Sequence, residues 1–122
     1  MPNKIVMIID DDTHTNAMLA DTLKLEGFET VGMGSGEEAL DFLKDKKVDM
    51  ILLDLLLPGI KGWKVVETLR NDQKTSEIPV IVLSILSPED TGLVKQFGNI
   101  VGYVCKPFDM DHLMAEVKKS LA

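Results

Sequence analysis

The chain has 122 residues, 45% of them hydrophobic, enough to bury a core of its own, and it reads as a single domain over residues 1–122. Its formal net charge is −7 and its 13 Lys and Arg are scattered rather than gathered in a stripe, which disfavours a direct nucleic-acid surface and points to protein partners. A single cysteine, Cys105, excludes an internal disulfide; the start Met1-Pro2-Asn3-Lys4 runs straight into a strand, no apolar run reaches membrane-spanning length, and a cytoplasmic location is expected.

Apolar runs alternate with helical patterns. Ile5 to Ile9 reads as a strand finishing in Asp10-Asp11-Asp12. Met18, Leu19, Thr22, Leu23 and Leu25 then recur at helical spacing until Gly27 supplies a stop. Phe28 to Met33 is a short mixed strand, and Gly36-Glu37-Glu38-Ala39-Leu40 opens a second helix with Ala39, Leu40, Phe42 and Leu43 on its stripe. Asp49 to Leu53 is the third strand, with Asp54 at its end and Leu55-Leu56-Leu57-Pro58-Gly59 behind it.

Gly62 leads into a third helix carrying Trp63, Val65, Val66 and Leu69, with Trp63 expected in the core. Pro79 starts the strand Val80-Ile81-Val82-Leu83, followed by Ser84. Ser87-Pro88-Glu89-Asp90 combines an N-cap serine, a proline at the first helical position and acids in the first turn, marking a fourth helix. Asn99, in a left-handed conformation, is expected to end it. Val101 to Cys105 is the fifth strand, Lys106-Pro107 is a candidate cis peptide, and Asp109 or Asp111 caps a last helix bearing Leu113, Met114, Val117 and Leu121.

Strands buried on both faces, with helices between them, indicate an α/β fold with a doubly wound parallel sheet. In such sheets the site lies outside the carboxyl ends of the strands. Asp10, Asp11, Asp54, Ser84 and Lys106 all fall there, whereas the second strand brings only Met33 and glycines. Clustered carboxylates in a crevice repel one another unless a cation sits among them, so Asp11 is expected as a direct metal ligand and Asp10 as one acting partly through water. Asp12 reads as a helix cap or as a group acting on the metal from outside its direct ligands. Oxygen ligands without Cys or His favour magnesium, with calcium and manganese left open. Asp54 is the candidate nucleophile. Tyr103, the only tyrosine, reads by itself as a half-buried packing residue, and His14 and His112 as solvent-facing.

Taken together, the strand followed by Asp10-Asp11, Ile51-Leu52-Leu53-Asp54 with Pro58-Gly59 and Gly62 behind it, Ser84 after Pro79-Val80-Ile81-Val82-Leu83, and Tyr103-Val104-Cys105-Lys106-Pro107-Phe108 resemble the receiver domain of two-component response regulators, from about Lys4 to Leu121. The resemblance implies a flavodoxin-like sheet of five strands in the order 2-1-3-4-5 with five helices. It implies that Asp54 accepts a phosphoryl group from a phosphohistidine on a sensor histidine kinase or phosphotransfer protein, that Mg2+ is bound by Asp10, Asp11, Asp54 and the backbone carbonyl of Leu56, and that Lys106 and Ser84 engage the phosphoryl oxygens. Tyr103 would then turn inward as the switch, and a downstream protein or effector domain would read the change. The domain would catalyse its own phosphorylation and dephosphorylation without being an enzyme in the usual sense.

Three positions depart from the usual pattern: Ile85 where a small residue normally follows the hydroxyl, and Leu56 and Leu86 where many relatives place polar groups. This apolar rim is expected to order attacking water poorly and so prolong the phosphorylated state. Lys61 stands where the family often has an acid. Two other functions compete: an adaptor that keeps the fold without phosphorylation, and an aspartate-nucleophile phosphatase of the haloacid dehalogenase type. The latter places a second acid two residues after the nucleophile, where this chain has Leu56. A flavin site is disfavoured because Asp10-Asp11-Asp12 would repel its phosphate.

Overall fold

Five apolar runs form five parallel strands, β1 (Ile5–Ile9), β2 (Glu29–Met33), β3 (Met50–Asp54), β4 (Val80–Ser84) and β5 (Ile100–Cys105), hydrogen-bonded in the order β2-β1-β3-β4-β5. The computed structural model describes residues 3–85, 92 and 96–121. Among these residues the helices are α1 (Thr13–Leu25), α2 (Gly36–Phe42), α3 (Gly62–Asn71) and α4 (Met110–Leu121), four rather than the expected five. The helix expected from Ser87 lies outside the described residues. None of the helices described is long and apolar enough to cross a membrane.

Alternation along the strands divides the core into two layers. Met7, Ile9, Ile51, Leu53, Val80 and Val82 face α2 and α3, packing with Ala39, Val65, Val66 and Leu69. Val6, Ile8, Met50, Leu52, Ile81 and Leu83 face the other way and meet Leu19 and Leu23 of α1 and Leu113, Met114 and Val117 of α4. Every residue of β3 and β4 is buried, as central strands covered on both faces must be.

The helix ends follow the sequence. The Asp12 carboxylate accepts from the backbone N–H groups of His14 and Thr15, Ser35 Oγ accepts from Glu38 N–H, and Gly27 leaves α1 at a φ of 94° that other residues rarely adopt. The Asp109 carboxylate accepts from Asp111 N–H at the start of α4. His14 and His112 are exposed, and the Lys106–Pro107 peptide is cis.

Three expectations are corrected. Trp63 is 45% exposed, because the buried face of α3 is set by Gly62, Val65, Val66 and Leu69 and the position one step past Gly62 lies off that stripe. Leu25 and Met18 likewise face solvent, leaving Leu19 and Leu23 to anchor α1. Asn99 is not left-handed: it is buried in the turn before β5, where its Nδ2 donates to the Val66 carbonyl at 3.2 Å and ties that turn to α3.

Close approach at Gly62 draws α3 against the end of β3. A Cβ there would sit 2.6 Å from the Leu55 carbonyl oxygen, and the Gly62 N–H donates to that oxygen at 3.2 Å. Registers Ile9↔Leu53, Asp54↔Leu83 and Ser84↔Cys105 then set the carboxyl ends of β1, β3, β4 and β5 side by side.

Candidate functional site

Asp10 leaves β1 with its N–H donating to the Met33 carbonyl at 3.1 Å and only 2% of the residue's surface exposed. Its Oδ1 accepts from Asp12 N–H at 2.9 Å, a local bond that turns the carboxylate back over the strand ends. Asp54, the last residue of β3, is also buried, and its Oδ1 accepts from Leu56 N–H at 3.1 Å. Asp11 is exposed at the mouth. One carboxylate oxygen from each of Asp10, Asp11 and Asp54 lies within 4.8 Å of the others.

Lys106 enters from the end of β5, where its backbone N–H donates to the Ser84 carbonyl at 2.7 Å. Its Nζ stands 3.3 Å from Asp54 Oδ2 and 3.5 Å from Asp10 Oδ2. Asp10 and Asp54 thus share one ammonium and Asp11 adds a third carboxylate beside them, a residual charge that a divalent cation held by hard oxygen donors fits. Burial pushes the Asp10 carboxyl above its ordinary range, with Asp54 adding to the shift, against the lowering effects of the Asp12 N–H and Lys106. Burial alone would lower Lys106, but Asp54 and Asp10 together outweigh it and hold the ammonium above its usual pKa.

Ser84 is fully buried at the end of β4. Tyr103 is half-buried on β5 and packs against the layer that faces α2 and α3. Leu56 and Ile85 present 50% and 67% of their surface, an apolar border beside the acids; Leu86 lies outside the described residues. Lys61 occupies the N-cap of α3 without a side-chain capping bond, and nothing in the structure explains its identity.

A family model of the response regulator receiver domain matches residues 6–118. The chain belongs to this family. The phosphate regulon transcriptional regulatory protein PhoB of Pseudomonas aeruginosa is 32% identical over 121 residues, covering 99% of this chain and 53% of PhoB. The polar-differentiation response regulator DivK of Brucella ovis is 31% identical over 119 residues, covering 97% of this chain and 96% of DivK. The receiver domain therefore spans about half the length of PhoB and nearly all of DivK. The solved structure of the chemotaxis response regulator CheY4 of Vibrio cholerae superposes with a TM-score of 0.91 at 26% identity, over 98% of this chain and all of that one.

Two residues at this edge of the receiver domain were not singled out by sequence. Asn16 of α1 donates from Nδ2 to the carbonyls of Ile8, Asp10 and Met33 at 3.3, 3.2 and 3.1 Å. Glu37 of α2 accepts from Ile60 N–H at 3.3 Å and steadies the turn at Gly59, whose φ is 73°. Neither spacing nor composition marks an amide or a carboxylate that acts on backbone groups this far away in sequence.

The raised pKa of Asp10 carries a stability consequence. The native state holds the Asp10 proton more tightly than the unfolded chain, so ionised Asp10 costs stability once pH exceeds the raised value, and the cost vanishes below the unfolded pKa. Asp10→Asn is therefore expected to stabilise the metal-free receiver domain at neutral pH by on the order of 1 kcal/mol. Urea unfolding in chelator measures this; a destabilised variant would contradict it.

Proposed function

We propose that this receiver domain accepts a phosphoryl group on Asp54 from a phosphohistidine of a sensor histidine kinase or phosphotransfer protein, and that the phosphorylated form controls a downstream protein or effector domain. The observation that carries the reading is the placement of the Asp54 carboxylate between the Lys106 ammonium, at 3.3 Å, and two further carboxylates within 4.8 Å. Asp10, Asp11, Asp54 and the Leu56 carbonyl would hold Mg2+, which supplies charge neutralisation for the incoming phosphoryl oxygens.

The chain's own residues do the rest. An Asp54 oxygen attacks phosphorus in line, the O–P bond forms as the P–N bond to the imidazole breaks, and the imidazole leaves with the electron pair. Lys106 swings its charge from carboxylate to phosphoryl oxygen with little movement, and the Ser84 hydroxyl donates to another oxygen. The Leu56 N–H holds Asp54 Oδ1, so Oδ2 is the attacking atom once Lys106, 3.3 Å from it, shifts to the phosphoryl oxygen. With Ser84 and Lys106 engaged, Tyr103 would turn from its half-buried position to a more buried one, and a partner that prefers that state shifts the equilibrium.

Turnover of external esters is disfavoured by Leu56, which gives no second acid. The adaptor reading draws no support from Ile85, which keeps 67% of its surface in solvent. Adding Mg2+ with beryllofluoride tests the switch. A change in Trp63 fluorescence and in the Tyr103 environment is expected only when both are present and Asp54 is intact; silence in both signals would favour the adaptor.

The apolar border sets the lifetime. Leu56→Asn and Leu86→Glu would each place a group able to orient attacking water, and several-fold faster loss of the phosphoryl group is expected from both, a modest share of the roughly 10²-fold that positioned proton-transfer groups supply. Unchanged or slower loss would contradict the role given to the rim.

A further inference from the structure

We propose that Asn16 is a positioning residue for the metal site, fixing the peptide that joins Asp10 to Asp11 and thereby the place of the Asp11 carboxylate. The inference rests on the metal reading above. β1 and β2 pair in register as far as Ile9↔Met33, and Asp10 N–H adds the bond to the Met33 carbonyl. Past that point β2 is finished, and among the described residues no backbone donor reaches the carbonyl of Asp10. A free carbonyl at a strand end lets its peptide plane rock. The side chain of Asn16, one turn into α1, closes that gap: its Nδ2 sits 3.2 Å from the Asp10 carbonyl and 3.1 Å from that of Met33, with Ile8 at 3.3 Å.

Two features make this more than a tidy strand end. The Asp10 carbonyl belongs to the same peptide as the Asp11 nitrogen, so pinning it fixes where the Asp11 Cα projects. Asp10 has other restraints, since its carboxylate is held by Asp12 N–H and Lys106. Asp11 has none: among the described residues no hydrogen bond or ion pair holds its side chain, so the backbone that sets where its Cα projects is the one restraint on bringing its oxygen within 4.8 Å of those of Asp10 and Asp54. Ligand groups must be held to about half an ångström for a site to bind well.

Gly32 completes the arrangement. A Cβ at that position would lie 2.6 Å from Asn16 Oδ1, so the edge strand carries no side chain where the amide enters. Asn16 also lies on the wall of an open recess of about 310 Å³ bordered by Asp10, Thr13, Ala17 and Met33. Truncating Asn16 therefore admits water to the carbonyls rather than burying them unpaired, and the variant should fold.

The test is a Mg2+ titration by calorimetry on wild type, Asn16→Ala, Gly32→Ala and, as a control on the same helix, Ala20→Gly. Outer partners of metal ligands typically contribute 10-fold or more to affinity, and Asn16→Ala is expected to weaken Mg2+ binding by roughly 10-fold. Gly32→Ala, which displaces the amide, should weaken it in the same direction. Ala20→Gly, expected to lower stability comparably, should leave affinity unchanged, which separates positioning from loss of fold. In the metal-free protein the Asp11 amide resonance should shift in Asn16→Ala more than those of the rest of α1. Wild-type affinity in Asn16→Ala, or an equal loss in Ala20→Gly, overturns the inference while the metal reading stands. A wild type that binds no Mg2+ overturns the metal reading and the inference with it.

Discussion

Asp54→Asn is expected to abolish phosphoryl incorporation from acetyl phosphate while leaving the fold intact. The amide has no oxygen able to displace a leaving group from phosphorus, and losing a nucleophile that acts with its neighbours typically costs on the order of 10⁴-fold or more in rate. The change also removes one of the three carboxylates gathered within 4.8 Å, so Mg2+ binding weakens with it. The fold should tolerate the substitution for a specific reason. Asn keeps an oxygen for the Leu56 N–H, and Lys106 retains Asp10 as a partner. Removing a charge from a crowded acidic crevice offsets the loss of the 3.3 Å ion pair to Lys106. Intact mass after incubation with donor and Mg2+, beside a urea unfolding curve, measures both halves; incorporation near the wild-type level would show that another residue is the acceptor.

Lys106→Met separates the two tasks of the lysine. In the metal-free state its Nζ is, among the described residues, the only cation within ion-pair distance of Asp10 and Asp54, and removing it leaves two buried carboxylates facing each other. Breaking a fully buried pair costs about 3–5 kcal/mol, and because the Lys106 side chain keeps 23% of its surface in water, a loss of about 2 kcal/mol is expected at neutral pH. The sign of the pH dependence follows from the shifts. Lys106 is raised in the native state, so its contribution is complete below the unfolded lysine pKa and fades only as pH climbs through the native value. Towards acid the difference between wild type and variant shrinks as Asp10, also raised, takes up its proton. Mg2+ should restore much of the lost stability, because it occupies the charge-balancing place, but should not restore the phosphorylation-dependent response at Trp63 and Tyr103. A variant as stable as wild type in chelator would contradict the ion-pair geometry.

Much of this arrangement is legible from sequence because it depends on local rules. Five apolar runs broken by turn residues force buried strands, and polar groups cannot survive inside them, so Asp10, Asp54 and Ser84 must stand at strand ends; the parallel fold then gathers those ends at one edge. Asp12 caps α1 through bonds that span two or three residues, which a short motif reveals. What failed depended on angles or on distant partners. Trp63 is apolar and lies near a helical stripe, yet a step of one residue turns it to solvent. Asn99 looks like a helix terminator by propensity, but its amide is drawn to the Val66 carbonyl on α3. Asn16 and Glu37 act on carbonyl and amide groups of other elements, and backbone partners leave no trace in side-chain pattern.

The most direct test is to find which atom carries the phosphoryl group. After phosphorylation with acetyl phosphate and Mg2+, borohydride reduction converts an acyl phosphate on an aspartate to homoserine, and peptide mass mapping locates it. Conversion confined to residue 54, absent in chelator and in Lys106→Met greatly reduced, is the expected result. Conversion at Asp10 or Asp11 instead, or none at all under conditions where the protein binds Mg2+, would contradict the assignment of Asp54 as the phosphoryl acceptor.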